Sequence, residues 1–308
     1  MRHIVFEDWQ TICHTIYEGG PLPKESLIYC SNDHIAQLFR ALIKEDADRE
    51  VVVVSAGSDF CVSYNYEGVL IDKMNRWLPM VDISCIQDQP LIQPQRMQIG
   101  NVLFDDEFIT NCYSWVHSSF SHIPSQVRTW YGVNLDIDNV RCQPIPFGIQ
   151  PGTASIIDKF KSELSDKDQT MFACFTNTTN ERGRIKSALT ALPWVDAADK
   201  IEHTEFLSRL SKSLFTFCPK GNGYDSYRIL ESLYVGSIPV IEAGSWTKAY
   251  DGLPIIILPE RENGGTDWRY LDIDFLLAMF SSFVWPCDKE YIDFNFWSDE
   301  ITGNVSEI

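Results

Sequence analysis

Residues 214–242, LFTFCPKGNGYDSYRILESLYVGSIPVIE, decide how this chain is built. An apolar run, LFTFCP, ends in Lys220-Gly221-Asn222-Gly223. A polar turn, Tyr224-Asp225-Ser226-Tyr227, follows, and a helical pattern runs from Arg228 to Tyr234. Gly236 interrupts that pattern, and Ser-Ile-Pro-Val-Ile begins a second apolar strand. Strand, glycine-rich loop, helix and strand in this order form one winding of an α/β sheet. The loop also suits a nucleotide diphosphate. Backbone N–H groups of a glycine loop and a helix N-terminus take phosphate oxygens, while Lys220 and Arg228 add positive charge. Glu231 stands one turn beyond Arg228 on the same helix face, where a carboxylate accepts hydrogen bonds from ribose hydroxyls. A short GxG alone is a weak signal, because tight turns after strands are common.

The full string PKGNGYDSYRILESLYVGSIPVI is more specific. It resembles the donor-site segment of exostosin-like glycosyltransferases, a family built on the two-domain GT-B fold. In that family a Pro, a basic residue and a Gly-rich turn precede an Asp-Ser or similar pair. An Arg follows, then a Glu three residues later, then a Gly-x-Ile-Pro-Val strand. Pro219, Lys220, Gly221, Gly223, Asp225, Ser226, Arg228, Glu231, Gly236, Ile238 and Pro239 stand at matching places. The resemblance implies that Arg228 binds the donor diphosphate and Glu231 the donor ribose. VVVVSAGSDF, RTWYGVN, VRCQPIPFGI and FTNTTNERGR also resemble landmarks of the family, so the likeness runs loosely from residue 51 to 260.

A length of 308 residues suits two domains, and 44% hydrophobic against 22% charged residues lets each bury a core. The formal charge of -18 and a pI near 4.6 argue against a surface for nucleic acid or anionic membrane. A nucleotide diphosphate must then enter a locally basic pocket. The opening MRHIVFEDWQTICHTIYEGG carries charges every few residues and lacks the apolar run of a signal peptide or anchor. No window approaches the ~18 uncharged apolar residues of a membrane span. Eukaryotic members of the resembled family usually carry an anchor, so the expectation is a trimmed chain or a soluble, cytoplasmic bacterial or viral enzyme. Nine scattered cysteines without CxxC or Cys/His ligand spacing argue against zinc and for a reducing compartment.

Strands are expected at SLIYC (26–30) and VVVVSAG (51–57), with HIAQLFRALIKEDADRE between them as an amphipathic helix capped by Ser31 or Asp33. SCIQDQP and FITNCYSW look like further strands, and SQVRTWYGVN (125–134) like a short helix. The Pro- and Gly-rich segment VRCQPIPFGIQPG (140–152) gives way to a polar helix, IIDKFKSELSDKDQ, which sets a domain boundary at residues 150/151. The second half then reads MFACFTN (strand), TTNERGRIKSALTAL and HTEFLSRLSKS (helices), the opening unit, LPIIILP (strand) and LDIDFLLAMFSSFVW (helix). A last helix crossing back onto the first domain is common among GT-B proteins. The alternation predicts two Rossmann-like, doubly wound parallel sheets.

In a parallel sheet, ligands bind outside the carboxyl ends of the strands. Donor-binding candidates are therefore Lys220, Gly221, Asn222, Gly223, Tyr224, Asp225, Ser226, Arg228 and Glu231, with Asn177, Arg182 and Arg184 after MFACFTN. Asp225 and Ser226 are also good helix caps, and Tyr224 suits ring stacking, a phosphate contact or core packing. The turn after Glu242 is a candidate to face the transferred sugar. Inverting transfer needs a base for the acceptor hydroxyl. Asp59, after VVVVSAGS at a strand's carboxyl end, is the first candidate for that base, and a turn-forming Ser-Asp explains it equally; His34, His117 and His122 are weaker candidates.

No metal is expected, since basic side chains and a helix N-terminus neutralise the departing diphosphate in the resembled group. Asp136-Ile137-Asp138 and the LDID at 271–274 then read as solvated carboxylates. The expected activity is metal-independent transfer of a sugar from a UDP- or GDP-linked donor onto a glycan acceptor. Residues 1–150 would take the acceptor and residues 151–308 the donor. The alternatives are a catalytically inactive nucleotide- or glycan-binding protein and another sugar-nucleotide enzyme such as an epimerase. The missing GxGxxG after the first strand argues against a dehydrogenase.

Overall fold

A computed structural model describes residues 2–45, 49–57, 62–65, 68–71, 97–99, 102–104, 123–176, 180–221, 223–262, 266–283 and 292–306. Strands β1 (Thr15–Tyr17), β2 (Leu27–Ser31), β3 (Val51–Ala56), β4 (Val127–Gly132) and β5 (Cys142–Pro144) lie side by side in one all-parallel sheet. A second all-parallel sheet holds β6 (Gln169–Cys174), β7 (Val195–Ala198), β8 (Ser213–Phe217), β9 (Ile238–Glu242) and β10 (Ile256–Leu258), in the order β7-β6-β8-β9-β10. The chain is thus α/β with two Rossmann-like parallel sheets, as its strand and helix alternation predicts.

The run of valines shows why the first sheet forms. Val51 to Val54 are completely buried, and the pleat sends alternate residues to opposite faces. Val52 and Val54 pack with Trp9 and Tyr131, whereas Val51 and Val53 pack with Leu38 and Phe39 of helix α1 (Ile35–Lys44). The N-cap position of α1 is His34 rather than Ser31 or Asp33. A 3-10 turn, Asn32–His34, leads into the helix, and Asn32 donates to the Val133 carbonyl at 3.1 Å.

Two expected helices are absent. Residues 125–134 contain β4, because Trp130 and Tyr131 pack on opposite faces of the sheet and Trp130 Nε1 donates to Ser55 Oγ at 2.8 Å. Residues 156–169 form two 3-10 turns, Ile157–Phe160 and Leu164–Asp166, since only Ile157 in those turns is buried and no apolar stripe holds a longer helix. SCIQDQP and FITNCYSW lie outside the described residues. Short strands β1 and β7, and antiparallel pairings of Val62–Asn65 with Gly68–Ile71 and Met97–Ile99 with Val102–Phe104, carry no clear sequence pattern.

Helices α2 (Asn180–Thr190), α3 (His203–Lys212), α4 (Tyr227–Val235) and α5 (Ile273–Ser282) belong to the second sheet. Gly236 ends α4 at φ +81°, and a Cβ there would lie 2.5 Å from the Ser162 carbonyl oxygen, so only glycine fits. The expected helix near 271–285 stays on this sheet as α5, through Phe280 against Phe215. The helix that reaches the first half is α6 (Phe294–Ser306). Phe294 packs on Trp9, and Asn304 Nδ2 donates to Tyr131 Oη at 2.6 Å.

Asp225 joins the two halves at the carboxyl ends of both sheets. It is 5% exposed, and its carboxylate accepts from the Phe147 and Ser226 N–H groups and from Tyr250 Oη. Its own N–H donates to Asn134 Oδ1 at 2.7 Å, two residues beyond β4. Asn134 has φ +57°, a backbone conformation that Asn tolerates better than most residues. Burial pushes the Asp225 carboxyl up to about 7, against the lowering effect of its hydrogen bonds.

The folded state therefore holds a proton that the unfolded chain releases near pH 4. This contribution to stability is full below the unfolded value and is lost as pH rises through about 7. In urea titrations, wild-type stability should lose up to about 1.4 kcal/mol per pH unit from this group across that window. Asp225→Asn should lack that slope.

Candidate functional site

A cavity of about 260 Å³ opens at the carboxyl ends of β6 and β7 and is closed by the first turns of α4. The order β7-β6-β8 makes this a topological switch point. The switch lies between β6 and β8, since the connection from β6 runs to β7 on one side and that from β8 runs to β9 on the other, and it leaves a crevice beside the ends of these strands. Cys174 and Thr176 come from the end of β6, Asp199 and Lys200 from the loop after β7, and Ser226, Arg228 and Glu231 from the start of α4.

Helix α4 begins at Tyr227 with Ser226 as N-cap, but the Ser226 side chain makes no capping hydrogen bond. Its Oγ is buried without a partner among the described residues. The first N–H groups of α4 thus have no side-chain cap from Ser226. Arg228 Nε donates to the Cys174 carbonyl at 2.9 Å, which fixes the guanidinium across the end of β6. Its two terminal nitrogens have no hydrogen-bond partner among the described residues, leaving a planar fork suited to phosphate oxygens.

Glu231 is 5% exposed and lines the same cavity. Its Oε1 lies 3.2 Å from His203 Nε2 and 3.4 Å from Thr153 Oγ1. Oε2 has no hydrogen-bond partner among the described residues. The hydrogen bond to Glu231 raises the His203 imidazole above its ordinary value, against the opposing effect of burial. His203 and Thr153 have no sequence signal. They come from the start of α3 and a short turn at Pro151–Ala154, and only folding brings them to Glu231.

Other candidates serve the loop rather than this cavity. Arg182 is 6% exposed, and its guanidinium donates to the carbonyls of Lys220 at 2.8 Å and Pro219 at 2.9 Å. It holds the glycine-rich turn, in which Gly221 N–H donates to the Gly223 carbonyl at 2.7 Å. A Cβ on Gly221 would come within 2.9 Å of Arg182 Nη2. Lys220 is held by Glu242: its N–H and Nζ meet that carboxylate at 3.1 and 3.4 Å, and Glu242 also accepts from Thr266. Glu242 is 4% exposed, so it anchors this loop. Tyr224 stacks on Trp246, ring centroids 6.3 Å apart.

Arg184 is exposed and borders a different cavity, of about 400 Å³, beside Trp268 and Arg261. His34 opens α1, while Asp59, His117, His122, Asn177 and Asn222 lie outside the described residues. Asp136 differs from a solvated carboxylate. Its Oδ1 accepts from Ser245 N–H at 2.6 Å across the two halves, and burial raises its carboxyl above the usual range. Asp138 pairs with Lys248 at 2.7 Å at the surface, and Asp272 caps α5.

These positions predict different outcomes for the two arginines of α2. Arg182→Ala strands the carbonyls of Pro219 and Lys220 and should cost about 2–4 kcal/mol of stability. Arg184→Ala should change stability by less than about 0.5 kcal/mol. Chemical denaturation of both variants checks this.

Among the described residues, no group of three or more His, Cys, Asp or Glu is placed to hold a metal ion, and no helix is long and apolar enough to cross a membrane. A search of curated proteins finds no match. Residues 164–256 match the family model described as the RXYLT1 C-terminal domain. That span runs from just before β6 into β10 and includes His203, Arg228 and Glu231. The match supports a glycosyltransferase family for this chain.

Proposed function

We propose that the chain is a GT-B-type glycosyltransferase that moves a sugar from a UDP- or GDP-linked donor onto a glycan acceptor. One observation carries this proposal. The Arg228 fork and Glu231 Oε2, one helical turn apart on α4, have no protein partner among the described residues at the cavity they share. A fork for a diphosphate and a carboxylate for ribose hydroxyls are what a nucleotide diphosphate requires. The matched RXYLT1 C-terminal domain supports the glycosyltransferase class.

In this mechanism the acceptor oxygen attacks the anomeric carbon and the bond from that carbon to the diphosphate breaks. Arg228 and the N–H groups of α4 take up the negative charge that develops on the leaving diphosphate. No metal is required for this charge in the proposed mechanism. The acceptor comes from the first half, residues 1–150, and the donor is held by the second, residues 151–308. Asp225, Asn134 and Phe147 meet where the carboxyl ends of the two sheets adjoin, and this supports transfer between them. The acceptor proton goes to a carboxylate of the first half in an inverting reaction, and Asp59 is the proposed base. Water exclusion at this seam limits hydrolysis of the donor. Cys13, Cys142, Cys174 and Cys218 are free thiols, in keeping with a proposed reducing, cytoplasmic setting.

Isothermal titration with UDP and GDP tests the cavity. Arg228→Ala should weaken the preferred nucleotide by about tenfold or more, the scale of a lost charge-assisted contact, with the fold preserved by circular dichroism. Unchanged affinity in both Arg228→Ala and Glu231→Ala would remove the assignment. With the donor and acceptor identified, EDTA should leave turnover unchanged, and Asp59→Asn should lower kcat far more than donor affinity.

A further inference from the structure

We propose that His203 is a positioning residue of the nucleotide site. It holds Glu231 so that Oε2 meets the ribose, and its charge makes nucleotide affinity depend on pH. This inference rests on the nucleotide-binding function proposed for the cavity. A carboxylate as buried as Glu231 needs partners, and it has them on one oxygen only, His203 Nε2 at 3.2 Å and Thr153 Oγ1 at 3.4 Å. The two donors fix the rotation of the carboxylate and so the direction of Oε2.

The imidazole is itself held. It stacks on Phe206, one turn along α3, with ring planes 14° apart. Its side chain is 41% exposed and lines the cavity. A contact that only tied α3 to α4 would not need an open ring edge in the ligand cavity.

Protonation of His203 adds a positive charge beside the anionic ligand without breaking the bond to Glu231. The charged and titratable groups around the cavity are Glu231 and Arg228 on α4, Asp199 and Lys200 after β7, Cys174 at the end of β6 and Glu202 at the cap of α3. Glu231 and Glu202 both favour the charged imidazole. The protonated form should therefore persist above the ordinary histidine range, and affinity should fall as pH rises through the raised value.

The test is calorimetric binding of UDP and GDP and of their 2′-deoxy counterparts, from about pH 5.5 to about pH 8.5. Wild type should prefer the ribonucleotide, and His203→Ala should lose that preference by about tenfold, the scale of one well-placed hydrogen bond to a charged group. His203→Gln retains an N–H donor but no titratable charge. It should keep most of the preference and lose the pH step. Equal ribose discrimination in wild type and His203→Ala, or an unchanged pH step in His203→Gln, overturns the inference while the nucleotide site stands. Absence of nucleotide binding in wild type overturns both.

Discussion

The burial of Asp225 is the constraint on which the architecture turns. A carboxylate removed from water is costly unless donors surround it. Three donors, the N–H groups of Phe147 and Ser226 and the hydroxyl of Tyr250, do so here. They come from the segment after β5, from the cap of α4 and from the 3-10 turn after β9. Satisfying this one side chain thus brings the end of the first sheet to the start of α4. The helix that carries Arg228 and Glu231 is placed by the same contact.

Around that contact the two halves share apolar packing. One continuous cluster includes Tyr29, Val54 and Tyr131 from the first half and Phe172, Ile229 and Tyr234 from the second. Tyr234 also accepts the Ile4 N–H and donates to the Ile292 carbonyl, so both chain ends are tied to α4. Helix α6 completes this by packing on Trp9 and Tyr131. The seam is built like a protein interior, and every residue of α4 from Ile229 to Val235 is buried.

Two arginines of similar sequence context have opposite roles. Arg182 satisfies backbone carbonyls and shapes the Gly221–Gly223 turn, whereas Arg228 uses one nitrogen on a carbonyl and keeps its fork open. Lys220, the most conspicuous cation of the loop, is held by Glu242. In a chain of net charge -18, the basic character of the cavity therefore rests on Arg228, Lys200 and the N-terminus of α4. Charge in a loop says little about direction; hydrogen-bond demand decides it.

Periodicity and local chemistry were enough to show the buried valine strand, the amphipathic α1, the glycine-terminated α4 and the Arg228/Glu231 pair on one helix face. Each depends on residues within a few positions of one another, so the sequence determined them alone. Residues 125–134 read as a helix because Trp130 and Tyr131 suit either element, and only pairing with β3 and β5 makes them a strand. The partners of Glu231 were equally hidden, since His203 is 28 residues away and Thr153 is 78. Asp225 was legible as a helix cap, but its burial between two sheets was not. Which residues lie near one another along the chain is a property of sequence. Which carboxylates lose water, and which donors then reach them, is settled when the two sheets pack together.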